Sequence, residues 1–324
     1  EPGGAAPTSR LPFRLSGLQL QEYSLAGVVV LLVVLGAIVE SQDFLTKDNL
    51  LGVLTQASVV GVLAIGMTFV IATAGIDLSV GSMVAAASIA GGQFADSGSL
   101  AFILGALGFG LLLGMVNAGA VAYGRIVPFI ATLAMFTMAR GLALIMSDQP
   151  ISLFDLEVLR WFGTGEVIGI PVSAVIFVIV AIVGWVLLNR TAYGRHVVAV
   201  GGNIEAARIA GVPVRRVIFS VYCMTGVLAG LAAVLLSARL ASAAPTVGQL
   251  YELDAIGAVV IGGTSLMGGR ATIVGTFLGV ITFALIFNLM TLMNLSTEIQ
   301  QVTKGVIILA AVLIQRPGGL TTRV

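Results

Sequence analysis

Charge, histidine, cysteine and lysine are all scarce in this chain, and each shortage closes off a class of chemistry. Only 10% of its 324 residues are charged, against 58% hydrophobic, with a mean hydropathy of +1.09. A soluble domain carries about 25% charge, so the composition is that of an integral membrane protein. His196 is the sole histidine, which excludes a clustered-histidine metal site and leaves no support for a His-based triad. Cys223, the sole cysteine, sits in an apolar run; no internal disulfide can form, and a packing role is expected. Lys47 and Lys304 are the only lysines and neither follows a glycine, so there is no Walker A sequence to cradle ATP. HExxH, CxxC and GxSxG are absent as well, and no catalytic residue or metal site is assigned. A net charge of +1 gives no reason to expect nucleic acid as a partner. The first residue is Glu1, not methionine, and a trimmed N-terminus is expected.

What is present is a succession of apolar runs. Ten are expected to form an all-α, polytopic bundle: residues 24–39, 50–74, 80–94, 100–122, 129–146, 171–188, 217–236, 256–261, 272–292 and 302–314. A span needs roughly 20 apolar residues to cross about 30 Å, so the runs opening at Leu50 and Ile256 are expected to be broken or half-length helices. Leu11 to Gln21 alternates Leu and Phe with Arg14 and Gln19, which suits a short interfacial helix. The organisation that follows is a tail with that helix over 1–22, one transmembrane domain over 23–316, and a C-terminal tail over 317–324.

Sidedness follows from the basic residues. With the N-terminus inside, Arg125, Arg270, Arg316 and Arg323 fall in cytoplasmic segments, whereas 147–170 carries Asp148, Asp155, Glu157 and Glu166 against Arg160 and falls outside. Ten spans with both termini cytoplasmic satisfy the rule at every connector. The longest cationic segment is 189–216, where Arg190, Arg195, Arg208, Arg215 and Arg216 face a single Glu205. Asn203 can cap a short helix there, with Gly211 and Pro213 as its stop. On charge alone this is either an ordinary positive-inside loop or a dedicated cytoplasmic element.

Several polar residues lie among the spans. Asp77 is either a gate or pathway residue or the N-cap of a helix starting at Leu78. Arg140 and Lys304 should face the protein interior and find an acidic or carbonyl partner, with Glu252 and Asp254 the nearest candidates. Asn117 and Asn288 sit in apolar helices, where asparagine more often joins helices than binds solute. Two glycine-dense turns, one holding Gly75 and Gly81, the other Gly262, Gly263, Gly268 and Gly269, suit broken helices in close contact. An internal duplication is left open.

Four blocks carry a resemblance: ATAGIDLSVGSMVAAAS from Ala72, VPFIATLAMFTMARGLA from Val127, GRHVVAVGGNIEAARIAGVPVRRV from Gly194, and ELDAIGAVVIGGTSLMGGRATIVGT from Glu252. Together they resemble the permease subunits of bacterial ABC importers for ribose, xylose, galactose and related sugars. Ala118, Ala271 and the Leu289 after Asn288 depart from glycines usual in that family. The resemblance implies a multi-pass protein of the bacterial inner membrane, acting as a homodimer with its pathway between the copies. It implies a cytoplasmic ABC ATPase with duplicated nucleotide-binding domains, which would hold ATP and Mg, and an extracytoplasmic solute-binding protein; no cofactor belongs to this chain itself. Segment 189–216 would then couple to the ATPase, through Gly202, Asn203, Glu205 and Arg208. Asp77, Asn117, Arg140, Glu252, Asp254 and Asn288 become gate or pathway candidates. The alternatives are a secondary transporter whose ion site is Asp77, Arg140 and Lys304, and a passive channel.

Overall fold

The computed structural model describes residues 17–40 and 42–314. Residues 1–16 of the expected N-terminal tail, which include 11–16 of the expected interfacial helix, and residues 315–324, with Arg316 and Arg323, lie outside the described residues. Residues 17–21 begin helix α1 (Gly17–Val39) and run on continuously into the first span, so over those five positions no separate interfacial helix exists.

The other long helices are α2 (Lys47–Ala72), α4 (Ser99–Ala122), α5 (Pro128–Met146), α7 (Val172–Arg190), α10 (Val214–Leu240) and α12 (Ile273–Leu292). With the Glu22–Val39 part of α1, these are the seven helices long and apolar enough to cross a membrane among the described residues. The three remaining expected spans are α3 (Val80–Gly92), α11 (Tyr251–Ile261) and α13 (Thr297–Ile314). Of these, α13 has 18 residues and carries Glu298 and Lys304. α3 and α11, of 13 and 11 residues, rise only about 20 and 17 Å.

The run opening at Leu50 is not broken. α2 continues for 26 residues, capped by the Thr46 hydroxyl accepting from Asn49 N, and the interruption falls after it. Its inner glycines serve contact instead: a Cβ on Gly61 would meet the Phe177 ring at 2.4 Å, and one on Gly66 would meet Leu228 at 3.1 Å. From Ala57 to Ala72, α2 is buried on nearly every side, and every residue of α3 is buried. A helix apolar all round belongs in the centre of a membrane bundle, and α2, α3, α10 and α11 supply much of the core here. α10 crosses α4 in close contact: Gly110 and Gly114 face Gly226 and Gly230, and a Cβ on Gly226 would lie 2.4 Å from Gly110 O. Small residues four apart on both helices are what lets two membrane helices approach backbone to backbone.

Four two-residue strands pin the loops. β1 (Ile151–Ser152) pairs antiparallel with β4 (Ser242–Ala243), and β2 (Glu166–Val167) with β3 (Ile170–Pro171). The acidic connector is thus structured, and it also holds α6 (Glu157–Thr164), whose Gly163 lies against the Ala238 carbonyl.

Candidate functional site

The two short helices define the centre of the site. Neither α3 nor α11 is long enough to cross about 30 Å alone, and each is preceded by a segment without α-helix, 73–79 and 241–250. Such backbone survives in a bilayer only where protein covers it; Gly75, Asp77, Ser79, Ala243, Pro245 and Gly248 are all buried. The N-terminal turns of α3 and α11 meet. A Cβ on Gly81 would fall 2.4 Å from Gly248 O and closer still to Glu252 Oε2, so only glycine fits there. Two helix N-termini therefore present their positive ends to Glu252, a favourable setting for a carboxylate taken out of water. Glu252 is also within electrostatic reach of Arg140, Asp254 and Lys304.

Asp77 is not the helix cap. α3 begins at Val80 with Ser79 at the capping position, and Asp77 Oδ1 instead accepts from Ser79 N at 2.9 Å and from Ser79 Oγ at 2.5 Å. Asn117 Nδ2 of α4 donates to Ser79 Oγ at 2.9 Å. Thr132 of α5 reaches the same segment, its hydroxyl lying 3.2 Å from Ile76 O. The buried Tyr222 hydroxyl of α10 lies beside Gly75 and has no hydrogen-bond partner among the described residues. Asp77, Ser79, Asn117 and Tyr222 make one polar pocket contributed by three parts of the chain. Sequence reasoning named two of them and missed Ser79 and Tyr222, because a serine after Asp-Leu and a tyrosine in an apolar run carry no distinguishing signal.

Arg140 finds carbonyls. Its Nη1 donates to Pro245 O at 2.6 Å and Val247 O at 3.0 Å, satisfying backbone acceptors that the irregular segment before α11 leaves unpaired. Lys304 Nζ lies 2.5 Å from Asp254 Oδ1, with both side chains about 15% exposed, and its other face covers the Phe287 ring at 5.2 Å. Asn288 is paired reciprocally with Asn49, at 2.6 and 3.1 Å, and so joins α12 to the first turn of α2. Asp77, Arg140 and Lys304 are thus each engaged by different partners, and no group of His, Cys, Asp and Glu suited to a metal ion occurs among the described residues.

The cationic segment folds as two helices where one was expected. α8 (Ala192–Gly202) is capped by Thr191, whose hydroxyl accepts from Gly194 N at 3.2 Å. α9 (Ile204–Ile209) is capped as the sequence predicts, Asn203 Oδ1 accepting from Glu205 N at 3.0 Å and Ala206 N at 2.9 Å. Gly211 follows with φ +80°. Glu205 and Arg208 pair with each other at 3.1 Å while both stay exposed. Such a pair contributes under about 1 kcal/mol, so either side chain is free to change partner. Beside α9 lies an open hollow of about 690 Å³ lined by Arg125, Arg208, Arg215, Arg216 and Val212–Val214.

The junction of α8 and α9 is seated on both glycine-dense turns. Gly201 packs so closely on Ala72 O that a Cβ would lie 1.8 Å from it; Gly202 faces Gly269. Gly268 and Gly269 adopt φ +78° and +73°, and Gly269 N donates to Ala72 O at 3.1 Å. Gly262 packs against Gly275, closing α11 onto α12. The two turns, far apart in sequence, therefore touch each other and α8 at one place, a convergence that no spacing in the chain announces.

A family model described as branched-chain amino acid transport system / permease component matches residues 49–312. The chain is 40% identical over 304 residues to a ribose import permease protein of Escherichia coli strain K12, covering 91% of this chain and 93% of that protein. It is 44% identical over 295 residues to a ribose import permease protein of Bacillus subtilis strain 168, covering 90% and 91%. A galactofuranose transporter permease protein of Escherichia coli strain K12 is 39% identical over 277 residues, covering 85% of this chain and 81% of that protein. No solved structure matches.

Proposed function

Because the chain belongs to the family of permease components described for branched-chain amino acid transport systems, we propose that it is the pathway subunit of an ATP-driven, binding-protein-dependent importer for a monosaccharide or related polar solute. The observation that carries this reading is the α8–α9 unit: a capped, solvent-exposed helix bearing Glu205 and Arg208, seated through glycine contacts on the end of α2 and the glycine-dense turn after α11. An element that offers charged side chains outward and rests rigidly on the membrane helices suits a lever worked by another protein. The extensive similarity to sugar import permeases favours a sugar as the solute.

In this reading ten segments enter the membrane, α3 and α11 as half-length helices, and both termini are cytoplasmic. Arg125, Arg195, Arg208, Arg215, Arg216 and Arg270 then share the cytoplasmic side. A second copy of the chain completes the pathway, a solute-binding protein delivers solute outside, and a cytoplasmic ATPase carrying ATP and Mg drives the cycle from the inner-membrane face. The hollow lined by Arg125, Arg208, Arg215 and Arg216 offers acidic residues of that ATPase a complementary surface. Asp77, Ser79, Asn117 and Tyr222, with Glu252 facing Gly81, lie where two broken helices meet, the place where transporters of this construction bind or gate solute.

An ion-coupled transporter built on Asp77, Arg140 and Lys304 is disfavoured, because those three residues are spent on Ser79, the Pro245 and Val247 carbonyls, and Asp254. The test is uptake in cells expressing the chain with its ATPase and binding protein. Uptake that continues after ion gradients are collapsed and stops on ATP depletion supports the importer; the opposite pattern sinks it.

A further inference from the structure

α7 and α12 both pack on α2 and leave a furrow between them on the outside of the bundle, about 470 Å³ in volume. Val178, Ile182, Trp185, Ile273, Val274 and Phe277 line it, without a charged side chain among them. Its walls are rigid. Phe277 stacks on Phe177 at 4.9 Å with planes 16° apart, and Gly184 lets α7 settle onto Ile65 of α2 and Ile273 of α12. Val178, Ile182 and Val274 remain exposed, so the furrow is open to its surroundings. At the end where α7 runs into α8, the Arg190 guanidinium lies 5.2 Å from the centre of the Trp185 ring, which itself lines the furrow. No acidic residue occurs between Glu166 and Glu205, whereas Arg190 and Arg195 both fall there. The carboxylate recorded near the start of α12, Glu22, accepts a hydrogen bond from the Thr272 hydroxyl.

We propose that this furrow is a binding site for one anionic phospholipid, an acyl chain lying along α7 and α12 and the headgroup phosphate held by Arg190. The apolar walls alone would give no preference, since lipid tails are as apolar as the side chains and surround the bundle everywhere. Selection comes from the rim. A guanidinium held over an indole by a cation–π contact keeps its N–H donors available, and their planar fork matches a phosphate better than any ammonium does. Basic residues at the mouth of a cleft between membrane helices recognise acidic headgroups in this way. Trp185 lies five residues before Arg190, the last residue of α7, and indoles near the ends of spanning helices favour the headgroup region. The proposal does not depend on which solute the protein carries.

The test uses the full chain in detergent, followed by its thermal unfolding midpoint as phosphatidylglycerol or phosphatidylcholine of identical acyl chains is added. Phosphatidylglycerol should raise the midpoint of the wild type and phosphatidylcholine should not; inorganic phosphate without a tail should have no effect. Arg190→Gln should bind phosphatidylglycerol about fivefold more weakly, the effect of losing one cation near an acidic headgroup. Val274→Trp, which fills the furrow at an exposed position, should abolish the response while leaving the lipid-free midpoint near that of the wild type. Equal shifts with both lipids, or an unchanged response in Arg190→Gln, would overturn the site. So would a Val274→Trp variant that changes the oligomer mass, since the face would then be a contact between copies.

Discussion

Lys304 and Asp254 illustrate how a single pair of charges is kept inside an apolar bundle. Each is about 15% exposed, so a charge at either position is costly unless it is paired. Contact at 2.5 Å and the Phe287 ring beneath the ammonium offset part of the desolvation, and the pair fastens α13 to α11. Removing one partner strands the other. Asp254→Asn or Lys304→Met alone should therefore destabilise the protein by about 3–5 kcal/mol, while the double variant Asp254→Asn/Lys304→Met should recover most of that loss. Unfolding in detergent at a fixed heating rate measures the cycle; additive losses would show that the pair is not coupled. This pairing was legible in the sequence because a lysine in an apolar helix must find an acid, and Asp254 stood among the nearest. Arg140 was legible only in kind. That it needed an acidic or carbonyl partner could be read, but the choice of Pro245 O and Val247 O depends on an irregular segment folding beneath it, which local sequence does not specify.

At the scale of elements, glycine does two different jobs that look alike in the sequence. In α2, Gly61 and Gly66 admit neighbouring side chains and the helix continues, so the run opening at Leu50, expected to be broken or half-length, is interrupted only after Ala72. At Gly201, the missing Cβ admits a backbone carbonyl, and the contact joins α8 to α2. Gly119, on α4, faces open space and serves neither purpose. Gly201→Ala should consequently cost about 1–3 kcal/mol through overpacking and lose ATP-driven uptake. Gly119→Ala should be neutral or stabilising by up to about 1 kcal/mol through helix propensity. Melting midpoints and uptake of the two variants, run side by side, decide the matter; identical behaviour would mean that the α8–α2 contact transmits nothing. The seven long apolar helices, in their order, could be read from hydropathy among the ten expected runs, and so could the Asn203 cap. The extra helix α8 and the meeting of the two glycine-dense turns could not, since both arise from packing between segments remote in the chain.

For the whole molecule, the question is how a displacement at an exposed six-residue helix could reach the polar pocket around Asp77. α9 is joined to α8 through Gly202 and Asn203; α8 bears on Ala72; and from Ala72 the irregular chain leads in seven residues to Ser79 and the N-terminus of α3. The same junction touches Gly268 and Gly269, which lead back to the end of α11, so one push addresses both half-length helices. Swinging a two-state population from 1:99 to 99:1 requires about 5.5 kcal/mol of differential binding, more than one surface ion pair supplies. For the proposed ATPase contact to supply that, its surface would have to include the arginine-lined hollow as well as Glu205 and Arg208. Glu205→Lys and Arg208→Glu each reverse an exposed charge whose partner is also exposed, so folding should change by less than about 1 kcal/mol. Uptake should nevertheless fall to background in both, with the protein still at wild-type levels in the membrane and still eluting as a single species. If both variants transport normally, α9 does not receive the driving force, and the path from α8 to Asp77 loses its input.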